Sequence, residues 1–377
     1  MTLNRTLNAD DLNWIVEGAA FLGSGGGGPL ELTQPLIDYM AQHGLWPKVV
    51  SFDQAAEGHV GMVAGMGSPS AAAGSGSAFT KGPLRLVRQM EKLLSNSFDY
   101  LIPGETGPMN SLIPLLVAAQ QGIPALDGDG AGRAMSTLGM STFNAAAAVR
   151  PLLVGNEPSN GEPPITAQLS LNTPEQADQM CRSVVTAPVF GSVGAFSTWP
   201  STRGALNKVA VHGSLSLCWL VGKALVSCRQ QGGNPYEALQ AIPELAPRMR
   251  LLGYGKISDV TLETSGGFDR LTVQLAASSG QQLTLMGLNE NMIAWSDSQA
   301  APVCMGPDSI CYVSASAQAF SNASIQQYRT SQEDIYIIGL TADPALLTPS
   351  ILSAYRTVLA QLGYAGAWQP LQTYQAS

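Results

Sequence analysis

The chain has 377 residues, a length that suggests roughly two domains. Hydrophobic residues make up 45% and charged residues only 12%, with 40 Gly and 24 Pro, which describes a compact, loop-rich globular protein and excludes a disordered one. The net charge of −8 argues against nucleic acid or an anionic membrane as the main partner and leaves a small-molecule substrate as the expectation.

Residues 9–22 are predicted to be helical. Asp10 and Asp11 favour the first turn, and Leu12, Ile15, Val16, Ala19 and Leu22 recur at helical spacing. The run Gly23-Ser24-Gly25-Gly26-Gly27-Gly28-Pro29 ends this helix. Glycines inside an element carry an entropy cost. Such a run fits a place where backbone N–H groups come close to a ligand, often an anion. Pro29 is read as opening the next helix, with Leu32, Leu36 and Tyr39 on one face. The Gly-Lys-Ser/Thr ending of a phosphate-binding loop is missing and no strand precedes the run, which disfavours a nucleotide reading.

Lys48–Phe52 and Val60–Met66 read as strands, Ser70–Ala78 as a mobile loop and Pro83–Leu94 as a helix. A strand at Tyr100–Ile102 runs into Pro103–Pro108, and a helix follows from Pro108 to Ala119, capped by Gly122. The next strand, Ile123–Leu126, leads directly into Asp127-Gly128-Asp129-Gly130-Ala131-Gly132-Arg133. Alternation of this kind predicts a mostly parallel sheet, whose ligands sit beyond the carboxyl ends of the strands. Glu105 follows one strand, and Asp127 and Asp129 follow the next. If those strands are neighbours, three carboxylates meet at one edge, so the glycine loop and the Asp-Gly-Asp-Gly loop are expected to line one cleft with Glu105.

A strand (Ile165–Leu171), a helix from Pro174 and a strand within Pro188–Phe196 come next. The apolar pattern then predicts one long helix from Ser201 to Arg229, carrying His212. From about residue 250, Val260–Glu263, Leu271–Leu275 and Leu283–Met286 alternate with period two, and glycine pairs mark turns. Met292–Trp295, Ile310–Val313 and Ile335–Ile338 continue the pattern, and Pro349–Leu362 returns to helix. The fold class is therefore α/β. A three-layer α/β/α domain over residues 1–248 is expected to precede a smaller β-rich, barrel-like domain over 249–377. The second domain is expected to cover the cleft or to build a homo-oligomer interface.

No apolar stretch reaches the ~18–20 residues of a membrane span. Met1–Asp11 is polar and lacks the apolar core of an export signal, so a cytoplasmic location with reduced cysteines is expected. The five cysteines form no C-x-x-C pair, and the three histidines show no H-x-x-x-H spacing.

Several stretches together resemble the S-methyl thiohydantoin desulfurase family, which is associated with hydantoinase and oxoprolinase genes. They are Leu22–Gly28, Glu105-Thr106-Gly107 with Asn110, Gly122-Ile123-Pro124 leading to Asp127–Ala134, Asn289-Glu290-Asn291 with Ile293-Ala294, and Pro307-Asp308-Ser309-Ile310. The chain departs from that pattern at Met135–Leu138, where the family usually has an aromatic residue and a Pro-Glu pair. The resemblance implies an α/β/α domain followed by a barrel-like one. It also implies hydrolysis of an S-methylated thiohydantoin to the hydantoin and methanethiol.

Such a reaction needs a base for water, an acid for the leaving group or ring nitrogen, and donors for developing charge. Glu105, Asp127 and Asp129 are the catalytic candidates. Ser24, Gly25, Gly26, Gly27, Thr106, Asn110 and Arg133 form the substrate-binding set, with Arg133 either gripping a substrate carboxylate or balancing the aspartates. The cofactor is unknown. A divalent metal is an open option, with the three carboxylates and His212 as its donors. The rival reading is a non-catalytic ligand-binding subunit that partners a hydantoinase or oxoprolinase. Asp129, flanked by glycines, is expected to serve a ligand, so Asp129→Asn is expected to remove turnover and leave the fold intact.

Overall fold

The computed structural model describes residues 2–67, 79–158, 162–191 and 193–371. The loop expected at Ser70–Ala78 lies outside them. Helix α1 (Ala9–Leu22) starts with a reciprocal cap: Asn8 Oδ1 accepts the Asp11 N–H at 2.9 Å, and Asp11 Oδ2 accepts the Asn8 N–H at 3.0 Å. Helix α2 covers Thr33–Gln42. It begins later than expected from Pro29, because Pro29 is extended and a tight turn at Leu30–Leu32 intervenes. The other main helices are α3 (Gly82–Leu94), α4 (Pro108–Gln121), α5 (Pro174–Val185), α6 (Ser214–Gln231) and α7 (Pro349–Gln361).

The strands of the first half are β1 (Val49–Val50), β2 (His59–Met62), β3 (Ala64–Met66), β4 (Tyr100–Ile102), β5 (Ala125–Leu126), β6 (Gly128–Asp129), β7 (Leu152–Gly155), β8 (Thr166–Leu169), β9 (Gly194–Ser197), β10 (Ser201–Thr202) and β11 (Val211–His212). Five form one sheet in the order β1-β5-β4-β2-β10, parallel except for β10. Strands β4 and β5 are neighbours, so Glu105 and the Asp-Gly-Asp-Gly loop do leave the sheet side by side.

Successive strand residues point to opposite faces, and here they enter different cores. Val49, Leu101 and Ala125 pack with α1, α2, α4 and α6. Val50, Ile102 and Leu126 pack with α5 and with the antiparallel sheet β3-β9-β7-β8. The layered α/β half is as expected, with an antiparallel sheet on the second face that the sequence reading did not separate out.

The single helix expected over Ser201–Arg229 is broken. A short helical turn at Arg203–Leu206 is followed by β11, and α6 begins only at Ser214. Strand β11 pairs with β6, placing Val211 opposite Asp129, and Gly213 takes a left-handed φ of 71° to start the helix. Backbone pairing with the aspartate loop thus overrides the apolar periodicity. His212 leaves the helix as a result. It is exposed, its Nε2 lies 2.9 Å from the Asn207 carbonyl, and its ring stacks on Phe52.

The second half is one antiparallel sheet of β12 (Met249–Ser265), β13 (Phe268–Ala277), β14 (Gln282–Leu288), β15 (Glu290–Ser296), β16 (Cys304–Met305), β17 (Ser309–Ser314) and β18 (Asp334–Leu340). Its order is β16-β15-β14-β13-β12-β18-β17. The sheet curls into a half-barrel that brings its two edges together, and Cys304 Sγ approaches the Ser309 carbonyl at 3.6 Å. Among the described residues, no helix is long and apolar enough to cross a membrane.

Candidate active site

Two glutamates, one from each half, face the same cleft. Glu105 follows β4 just before α4, and its carboxylate is held from both sides. Asn110 Nδ2 donates to Oε1 at 2.6 Å, and the Met135 N–H donates to Oε2 at 2.6 Å. The Asn110 amide cannot be turned round, because its Oδ1 accepts the Gly65 N–H at 2.8 Å. Glu290 opens β15 immediately after a tight turn. Asn289 makes that turn at φ 64°, a left-handed value that Asn tolerates, while its Oδ1 accepts the Asp269 N–H at 2.8 Å.

The glycine run fits these two pieces together. The Gly27 carbonyl accepts the Met109 and Asn110 N–H groups in the first turn of α4, at 3.0 and 3.3 Å. A Cβ on Gly27 would overlap the Gly107 backbone, and one on Gly26 would overlap the Glu290 side chain. The Gly26 N–H is itself bonded to the Gly23 carbonyl at 3.0 Å. Gly26 and Gly27 therefore serve close backbone approach, and the Gly27 carbonyl is aimed at a helix start.

Gly27, Gly28, Asn110, Asn289, Glu105 and Glu290 line the cleft together with Met66, Phe79, Met109, Met135, Leu138, Phe196 and Trp199. Asp178 and Arg182 close one side, joined at 2.9 Å, with the Arg182 guanidinium over the Phe268 ring. Burial, and then the charge of Glu290, raises the proton affinity of Glu105 above the usual carboxylate range. Burial raises that of Glu290 too, against the opposing charges of Arg133 and Arg182.

The other residues expected at the site lie behind the cleft. Ser24 sits between the sheets: its Oγ accepts the Ile310 N–H at 2.9 Å, and its carbonyl accepts the Asn291 N–H at 2.8 Å. The Gly25 carbonyl accepts the Asn322 N–H at 2.8 Å. Thr106 Oγ1 donates to Asp129 Oδ2. Asp127 holds the start of α6 by accepting the Ser216 N–H at 3.1 Å and the Ser216 hydroxyl, a use that the dipole of a helix start favours. Arg133 is fully buried and binds neither aspartate. Its guanidinium donates to the carbonyls of Ala134, Asn291, Pro307 and Asp308, four backbone acceptors that compensate a buried charge. The three carboxylates and His212 do not assemble. Among the described residues, no group of three or more His, Cys, Asp or Glu side chains is arranged to hold a metal ion.

Asp129 is solvent-inaccessible, and its Oδ1 accepts the Ala131 and Gly132 N–H groups at 3.0 and 2.6 Å. Burial pushes its carboxyl up to about 6. This loop-closing position changes the expectation for substitution. Asp129→Asn can still accept both N–H groups and should keep most of the stability. Asp129→Ala leaves both unpaired in the interior and should cost about 2–6 kcal/mol, at roughly 1–3 kcal/mol for each buried donor. Urea unfolding of the two variants checks this, and equal losses would refute it.

Glu290 is not among the site candidates that the sequence offers; its signal there is a glutamate between two asparagines opening an otherwise apolar strand, Met292–Trp295.

Family models match almost end to end. Residues 10–161 match the S-Me-THD-like N-terminal domain, and residues 172–356 match the S-Me-THD-like C-terminal domain. The chain belongs to the S-Me-THD-like family. This is the thiohydantoin desulfurase-like family that its motifs resemble. Both glutamates of this S-Me-THD-like chain fall within the matched spans, one in each. The chain is also similar to a crystal structure of a protein from Chromobacterium violaceum, with 26% identity and a TM-score of 0.80 over 97% of this chain and 100% of that one. No curated protein matches it.

Proposed function

We propose that this S-Me-THD-like protein is a hydrolase of a small five-membered heterocycle, with S-methyl thiohydantoin as the substrate and hydantoin and methanethiol as products. The carrying observation is the pair of buried glutamates, Glu105 and Glu290, facing one cleft at the junction of two sheets. Met66, Met109, Met135, Phe196 and Trp199 suit a flat ring and a methylthio group on the walls.

One ionised and one protonated carboxyl suffice for the chemistry. The carboxylate takes a proton from water as its oxygen bonds to the C=N carbon, and the carboxyl gives its proton to the ring nitrogen. The roles then exchange. The group that gained a proton delivers it to sulfur as the C–S bond breaks, and its partner takes the proton of the new hydroxyl. A carbonyl and methanethiol result, and both groups return to their starting states.

A pair whose proton affinities are both raised should give a bell-shaped pH profile of kcat/KM. Activity rises as the first proton leaves the pair and falls as the second leaves. Both limbs should lie above the usual carboxylate range of about 4.3. The direct test is methanethiol release from S-methyl thiohydantoin by the purified protein across pH. Release no faster than the uncatalysed rate at every pH would overturn the proposal.

A further inference from the structure

Ser136 makes two contacts that one hydroxyl cannot both donate. Its Oγ lies 2.6 Å from the Leu288 carbonyl oxygen and 2.6 Å from Glu290 Oε2. A serine hydroxyl carries one proton and can also accept, whereas a carbonyl oxygen only accepts. Two oxygens at 2.6 Å need a proton between them, since that spacing is short even for an O–H···O bond. The hydroxyl proton must therefore lie toward Leu288, the contact that has no other source of one. The proton between Ser136 and Glu290 then belongs to the carboxyl.

Glu105 shows the opposite pattern. Both of its oxygens face N–H donors, Asn110 Nδ2 and the Met135 amide, and neither contact asks for a carboxyl proton. The Asn110 assignment is fixed by the Gly65 N–H, so this side cannot be reversed by exchanging its amide atoms.

We infer that Glu290 carries the shared proton, held there by Ser136, and that Glu105 is the ionised partner. On the proposed function, Glu290 is then the first general acid and Glu105 the first base, with Ser136 a positioning residue. The roles rest on that function, but the protonation states do not. The charged and titratable groups facing Glu290 are Glu105, Arg133, Arg182 and Tyr355, and Asp129 also faces Glu105. The two arginines favour an ionised Glu290, so the Ser136 hydroxyl is the contact that works against them. The Arg182 guanidinium also donates to the Ser136 carbonyl and so ties the serine in place.

Neutron diffraction from crystals of the wild-type protein in D2O near neutral pH reads this directly and needs no substrate. Deuterium bonded to Glu290 Oε2, with the Ser136 deuterium toward Leu288, is the expected result. Deuterium on Glu105, or on Ser136 toward an ionised Glu290, overturns the inference. Ser136→Ala gives a second reading through the direction of a shift. Removing an acceptor of the Glu290 proton should lower the pH at which the alkaline limb of methanethiol release falls. Removing a donor to an ionised Glu290 would raise it, and an upward shift therefore overturns the inference. Absence of methanethiol release from the wild type would defeat the proposed function alone and leave the deuterium positions as the test.

Discussion

Glu105→Gln is expected to lower kcat/KM by about 10²–10⁴-fold, the usual contribution of a positioned acid or base, while the chain stays folded. Glutamine preserves the shape and can still accept from one of the two donors. It cannot take a proton from water at neutral pH. The Met135 amide and Asn110 Nδ2 both point at Glu105 oxygens, so one of them will face an NH2 group, which limits the expected stability loss to about one lost hydrogen bond of ~1 kcal/mol.

Stability should also respond to pH, because burial raises the Glu105 carboxyl in the folded state. A carboxyl raised in the folded state keeps its proton where the unfolded chain has lost it. The folded state then binds more protons, and the stability of folding falls as pH rises from the usual glutamate range through the raised one. Below that window the group has no effect. Glu105→Gln removes one such group, so its stability should decline less steeply than wild type from about pH 5 upward. Methanethiol assays with urea unfolding at several pH values give both readings. Near-normal turnover with parallel pH–stability curves would remove Glu105 from the mechanism.

Gly222→Ala is expected to be the most damaging single methyl addition to the fold. Helices α1 and α6 cross so closely that a Cβ on Gly222 would overlap the Trp14 carbonyl oxygen, and one on Gly18 would overlap the Cys218 carbonyl oxygen. Both obstacles are backbone, which cannot rotate aside. Alanine is the better helix former by about 1 kcal/mol, so an isolated α6 would gain from the change. The steric term should win, because separating the helices opens the core that Ile15, Ala19, Cys218 and Val221 fill. Overpacking alone costs about 1–3 kcal/mol, and separation adds cavity loss to it. A net loss of about 2–4 kcal/mol in urea unfolding is expected. The start of α6 is also tied to Asp127 through Ser216, so the aspartate loop should loosen with it. A variant as stable as wild type would show that the helices can move apart at no cost.

Much of this protein was legible in the sequence, because much of it is locally encoded. The repeat from Leu12 to Leu22 marked α1, and Asp10 and Asp11 marked its first turn. Gly122 ended α4 in the left-handed conformation its neighbours disfavour. Period-two alternation after residue 250 became one curled antiparallel sheet. Glu105 follows a parallel strand, beyond whose carboxyl end ligands collect, and it faces the cleft.

What the sequence could not decide was what each polar group faces, because periodicity assigns a residue only to a face of its own element. The aspartates beside glycines looked ligand-bound, yet Asp129 closes its own loop and Asp127 caps a helix whose start lies far along the chain. The glycine run suggested a cradle of N–H groups, and only the fold shows that Gly27 is held against Gly107 and Gly26 against Glu290, neither of which is a sequence neighbour. The apolar run before α6 looked helical until β6 offered Val211 a strand partner. Glu105 follows a strand of one sheet and Glu290 opens a strand of another, and only the packing of those sheets buries the two carboxyls in one cleft and raises both proton affinities.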